Sequence, residues 1–166
     1  MSQDGMVTML FVTLLCSNLE QTTKTLATCV GKLSDEQIWQ RSGPYENAAG
    51  NLILYLGGNM RQWILHGVGG VPDVRARDLE FTTQGGINGA KLIADFEALL
   101  LEACGVMANA PGRRMAERIT PQGRDVSVME AISQVVGHVQ MHVGQVILLT
   151  KQMLATDLDL TMPRQR

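Results

Sequence analysis

Apolar residues recur at helical spacing in four long stretches of this chain, each closed by helix breakers, and no alternating series of strand length competes with them. In the first, Leu15, Leu19, Thr22, Leu26, Val30 and Leu33 advance by threes and fours, which places them on one helix face. Gly31 is a candidate stop, and Ser34-Asp35-Glu36-Gln37 has the form of a capping box that opens a short turn carrying Ile38 and Trp39. The second stretch follows Pro44, with Asn47 as the expected N-cap, and stops in the run Gly67-Val68-Gly69-Gly70-Val71-Pro72. The third is capped by Asn88, carries Ile93, Phe96, Leu100, Ala103 and Met107, and ends at Pro111-Gly112. A polar stretch around Pro121-Gln122-Gly123 then reads as a turn or small hairpin. A second capping box, Ser127-Val128-Met129-Glu130, opens the longest stripe: Val128, Ile132, Val135, Val139, His142, Val146, Leu149 and Met153. The spacing predicts helices over residues 6–32, 48–67, 88–109 and 127–155, with a loose tail from Asp157 through Pro163.

Four helices of that length in 166 residues predict a single all-α domain over residues 1–166, a four-helix bundle with its core at about 6–156. Links of about 15–19 residues exceed the 2–8 usual between bundle neighbours, so crossovers are permitted. Charged residues are only 18% of the chain against 45% hydrophobic, which excludes a disordered polymer. A net charge of −2 gives no field to hold a polyanion, so nucleic acid is not expected as a partner. The apolar run Met6–Cys16 has no basic leader and is too short to span a bilayer, so neither export nor a membrane partner is expected. Three widely spaced cysteines, Cys16, Cys29 and Cys104, without a CxxC, suit free thiols in the cytoplasm. Leu10, Val12, Leu99, Leu101, Ile147 and Leu148 lie opposite the core stripes, and their burial predicts a homodimer.

One feature carries chemistry. His138-Val139-Gln140-Met141-His142 stacks two imidazoles on one helix face, within reach of a single point. Either a divalent metal joins them, or they are core histidines satisfied by neighbouring side chains. A zincin is excluded because no Glu follows the first His, and a ferritin-like di-iron site because neither His has Glu three residues before it. On the second helix Leu52, Tyr55, Asn59, Gln62 and His66 share a largely polar face. Tyr55 reads as a ring whose hydroxyl bonds His142 or Gln145; Asn59 and Gln62 line a pocket or bond between helices. Arg41, Arg75 and Arg77, in or near loops, either catch an anionic substrate or bridge loop carbonyls and acids. His66, beside Gly67, is read as a helix C-terminal cation.

Asn51-Leu-Ile-Leu-Tyr55-Leu-Gly-Gly-Asn59-Met-Arg-Gln62-Trp63, Gly69-Gly70-Val-Pro-Asp-Val-Arg75-Ala-Arg77-Asp78-Leu-Glu80-Phe81 and His138-x3-His142-Val-Gly144-Gln145 together resemble the DinB-like four-helix bundles, from Leu33 to Lys151. The resemblance implies an up-down-down-up helix order and a homodimer. It also implies one metal ion bound by a His of the second helix and two of the last, in metal-dependent enzymes of thiol-dependent S-transferase or hydrolase type. Here the second-helix position carries Tyr55, a poor ligand for zinc or nickel because its phenol must first ionise. His66 lies 11 residues further on, roughly 16 Å along a helix axis, and does not substitute. The expectation is a zinc or nickel ion weakly held by His138 and His142, with Tyr55 at the missing-ligand position and Asn59, Gln62 and Gln145 as pocket residues. The resemblance equally admits a catalytically degenerate bundle that binds a small molecule, such as a low-molecular-weight thiol, or a protein partner.

Overall fold

The first helix of the computed structural model, α1 (Gln3–Val30), begins where the described residues begin; these run from 3 to 160. A short α2 (Asp35–Trp39) follows from the predicted capping box: Ser34 Oγ accepts from the Gln37 amide while the Gln37 side chain accepts from the Ser34 amide. The helix α3 (Ala49–Met60) is capped by Ala48 rather than by Asn47. The first helical hydrogen bond there runs from the Leu52 amide to the Ala48 carbonyl, so the asparagine stands one residue too early to cap it. Beyond Met60 the helix widens without a break into a π-helical segment, Arg61–Val68, where the Gly69 amide bonds back five residues to Ile64.

The glycine run after Val68 leads into a six-residue helix, α4 (Arg77–Thr82), which periodicity could not reveal at so short a length. Then come α5 (Gly89–Asn109), capped by Asn88 through the Lys91 amide, and the expected small hairpin. Its strands β1 (Arg118–Ile119) and β2 (Val126–Ser127) pair antiparallel around the 3₁₀ turn Pro121–Gly123. The last helix, α6 (Val128–Leu154), starts on the Ser127–Glu130 capping box and stops at Ala155 in the left-handed region, φ 48°.

The helix order is fixed by which ends meet. Gly5, Thr8 and Val12 of α1 line one cavity with Ala108 and Ala110, and Ala27 and Val30 line another with Ala90 and Ile93, so α1 and α5 are antiparallel. Cys29 near the end of α1 lies beside Thr150 near the end of α6, so these two run parallel. Gly57 of α3 faces Phe96 and Leu99, and Gly69 just past the π-helical segment faces Val106, so α3 and α5 are parallel. Leu52 lines a cavity with Leu148 and Leu149 while Tyr55 packs on His138, which makes α3 and α6 antiparallel. The order is therefore up, down, down, up, with α1 and α3 each packed between α5 and α6.

Burial follows the predicted stripes, with three corrections. Val12 and Leu99, expected on the outer face, are 5% and 7% exposed and belong to the core. Their helices are packed by two neighbours each, so the buried stripe is wider than one row of residues. Leu158, expected in a loose tail, is 1% exposed and packs into the core; the remainder of that tail, from residue 161, lies outside the described residues. No helix among the described residues is long and apolar enough to cross a membrane.

Candidate functional site

The site is assembled from α3, α4 and α6 around the ring of Tyr55. His138 and His142 both present ring edges to it, with centroids 5.0 and 5.3 Å away. Phe81 of α4 packs on it at 5.0 Å, and the Arg75 guanidinium lies 5.3 Å from its centroid. The i, i+4 spacing on α6 brings the two imidazoles together as the sequence predicts, with Nε2 atoms 3.2 Å apart.

Hydrogen bonds fix the tautomer of one ring. His142 Nδ1 lies 2.6 Å from Gln145 Oε1, and a carbonyl oxygen can only accept, so Nδ1 carries the proton and Nε2 is left with a lone pair. That lone pair points at His138 Nε2. The other nitrogen of His138, Nδ1, is buried with no partner among the described residues. Burial first, then the neighbouring imidazole and the Arg75 charge, push His138 down to about 4 from 6.5, so it is neutral at pH 7. The Tyr55 hydroxyl makes no hydrogen bond to His142 or Gln145, contrary to expectation, since Gln145 is engaged by the imidazole.

A polar frame behind the site holds Arg75 in place. Its Nε and Nη2 take both oxygens of Glu80 at 2.8 and 2.7 Å, and its Nη1 donates to Gln62 Oε1 at 2.9 Å. The two side chains are only 2% and 10% exposed, so this is a buried ion pair. Glu80 can sit there because position 58 is glycine: a Cβ on Gly58 would fall 1.8 Å from Glu80 Oε1. Asn51, fully buried, donates to the carbonyls of Glu80 and Thr83 at 2.9 and 2.8 Å and accepts from Arg41 at 2.9 Å, while Arg41 also donates to the Phe81 carbonyl. These bonds tie α4 across the start of α3 and so set Phe81 against Tyr55.

Gln62 therefore belongs to this frame, donating also to Asp73 at 2.6 Å and accepting from Gln122 at 2.7 Å. The Gln62 bond first, then the bond from the Arg75 amide, keep the Asp73 carboxyl below the usual range. Asn59 is buried in the bundle with its Oδ1 unpartnered among the described residues, as is Trp63 Nε1 one turn on. His66 lies away from the site, with Nδ1 2.7 Å from the Val71 carbonyl.

The chain matches, over residues 6–166, the model of a family described as proteins of unknown function, DUF1572. It belongs to the DUF1572 family. Among curated proteins nothing matches. Among solved structures this DUF1572 chain is similar to a DinB-like protein from Bacillus cereus, with a TM-score of 0.68 at 14% identity, over 92% of this chain and 95% of that one. That likeness concerns the fold, which is the DinB-like helical bundle read from the motifs.

What the DUF1572 site offers a metal follows from its donors. Zinc–nitrogen bonds of about 2.0–2.1 Å at a tetrahedral angle put two ligand nitrogens about 3.3–3.4 Å apart, so the 3.2 Å separation of the imidazoles suits a shared ion. Gln145 supplies the outer hydrogen bond that ligating histidines usually make. Tyr55 beside them offers only a phenol, and among the described residues no group of three His, Cys, Asp or Glu side chains gathers. The donor set thus fits a divalent ion with two fixed nitrogens. Sequence reasoning missed α4 as a wall of the site; the signal was Asp78 and Glu80 in a first turn, where acids favour a helix N-terminus.

Proposed function

We propose that this DUF1572 chain is a metal-dependent enzyme of transferase or hydrolase type, holding zinc or nickel weakly on His138 and His142, with Tyr55 in place of a third histidine. The observation that carries this reading is the convergence of the two Nε2 atoms while Gln145 occupies the other nitrogen of His142. When bound, a divalent ion supplies Lewis-acid polarisation and lowers the pKa of a coordinated water. Gln145 keeps the His142 tautomer that leaves Nε2 free. Tyr55, with its hydroxyl free of His142 and Gln145, stands beside both imidazoles as a proton donor for a leaving group. Phe81 and the Tyr55 ring exclude water from one side of the pair. A homodimer is the assembly that accompanies this reading.

The second reading, a catalytically degenerate bundle that binds a small molecule, draws support from Tyr55 itself and from the Arg75 charge, which disfavours a cation nearby. Calorimetric titration with zinc of chelator-treated wild type, His142→Ala and Tyr55→His separates the two. Weak binding by wild type, none by His142→Ala, and affinity at least about tenfold tighter in Tyr55→His are expected. Wild type and His142→Ala taking up zinc alike would remove the metal site. Equal affinities of wild type and Tyr55→His would remove the ligand position assigned to Tyr55.

A further inference from the structure

We propose that Arg77 is the anion-recognition residue of this site, and that the molecule bound against the His138–His142 pair carries a carboxylate. This rests on the reading above only in placing the ligand at the imidazoles; the residue that recognises it is a different one. Three arginines surround the site, and the structure distinguishes them by what their donors already hold. Arg41 is engaged by Asn51 and the Phe81 carbonyl. Arg75 is engaged at Nε, Nη1 and Nη2 by Glu80 and Gln62. Arg77 is exposed and forms no hydrogen bond or ion pair among the described residues.

Its guanidinium is nevertheless placed. The central carbon lies 5.1 Å from the Phe81 ring centroid and 5.9 Å from that of Tyr55, over both aromatic rings. A cation–ring contact engages no hydrogen-bond acceptor, so the fork of N–H donors stays free for a planar carboxylate. The Tyr55 ring beneath Arg77 is the ring that both imidazoles pack against, which sets the free donors and the histidine pair around one side chain. Charge points the same way. The buried carboxylate Glu80 is already matched by Arg75. Asp78, next in the chain, makes no ion pair with Arg77 among the described residues, so the positive charge of Arg77 is uncompensated. A carboxylate matches the planar fork of one guanidinium, and Arg75 is committed to Glu80 and Gln62.

The test is NMR titration of succinate, and separately of inorganic phosphate, into wild type, Arg77→Ala, Arg77→Lys and Lys91→Ala. Each is followed at the arginine Nε–H and histidine ring signals, in chelator-treated and zinc-loaded protein. Lys91 pairs with Asp95 on the surface and serves as the control for a cation elsewhere. Saturable succinate binding that shifts both sets of signals is expected, weakened about tenfold or more in Arg77→Ala, partly restored in Arg77→Lys and unchanged in Lys91→Ala. Circular dichroism identical to wild type shows that the variants fold. Succinate binding equal in wild type and Arg77→Ala, or no saturable binding at all, overturns the proposal, and phosphate binding tighter than succinate overturns the carboxylate assignment. If wild type takes up no zinc yet succinate binding to chelator-treated protein still depends on Arg77, the metal reading fails and this inference stands. The converse pattern removes Arg77 and leaves the metal.

Discussion

Asn51 shows how one buried polar side chain can decide where a site's wall stands. Both its amide hydrogens and its oxygen are matched, to carbonyls near the end of α4 and to Arg41. Asn51→Ala removes those partners at once and leaves buried carbonyls and a guanidinium without them, a loss of about 2–3 kcal/mol. Urea unfolding should show that drop, and a loss under about 1 kcal/mol would mean that water replaces the asparagine. The motif around Asn51 was legible in the sequence, but its partners lie 10 to 32 residues away, and no local pattern names them. The histidine pair was legible because its geometry depends only on the pitch of one helix. The fates of the three arginines were not, since each depends on which loop carbonyl or carboxylate the fold delivers.

Among the elements, α4 depends on α3 through a contact that only a glycine allows. Gly58→Ala would drive a methyl group into Glu80, whose carboxylate cannot swing away without leaving Arg75 buried and unmatched. Breaking a buried pair costs about 3–5 kcal/mol, and Gly58→Ala is expected near the lower end, about 3 kcal/mol, because helix propensity offsets part of the loss. Thermal and denaturant unfolding check this; a variant as stable as wild type would show that the ion pair does not pin α4. The capping boxes at Ser34 and Ser127 formed as read, because a cap is decided within four residues. The π-helical segment was not legible. Its five-residue bonds replace four-residue ones only where packing around Trp63, Ile64 and Leu65 favours the wider turn.

For the whole molecule, the question is what covers the apolar residues that the bundle leaves outside. Val7, Leu10 and Leu14 lie on one face of α1, and Leu101 on the adjacent α5 is 77% exposed. A homodimer burying this side is expected, so sedimentation of wild type at micromolar concentration should give twice 18.1 kDa, and Leu10→Lys should shift it toward the monomer without loss of helix. Wild type sedimenting only as a monomer would refute the dimer.

The sequence by itself determined the four long helices, most of their caps, the small hairpin before α6 and the pairing of His138 with His142. The helices, caps and histidine pair rest on interactions within about one helical turn, and the hairpin on pairs within nine residues. Tertiary structure alone decided that Val12 and Leu99 are core, since burial depends on how many neighbours a helix has. It also decided that Leu158 returns to the bundle, and that α4 closes over Tyr55. The division of labour between Arg75 and Arg77 belongs to the same class. The two residues are two apart in sequence and both reach the Tyr55 ring, yet only Arg75 is locked by Glu80, because the fold brings that carboxylate to one guanidinium and not to the other.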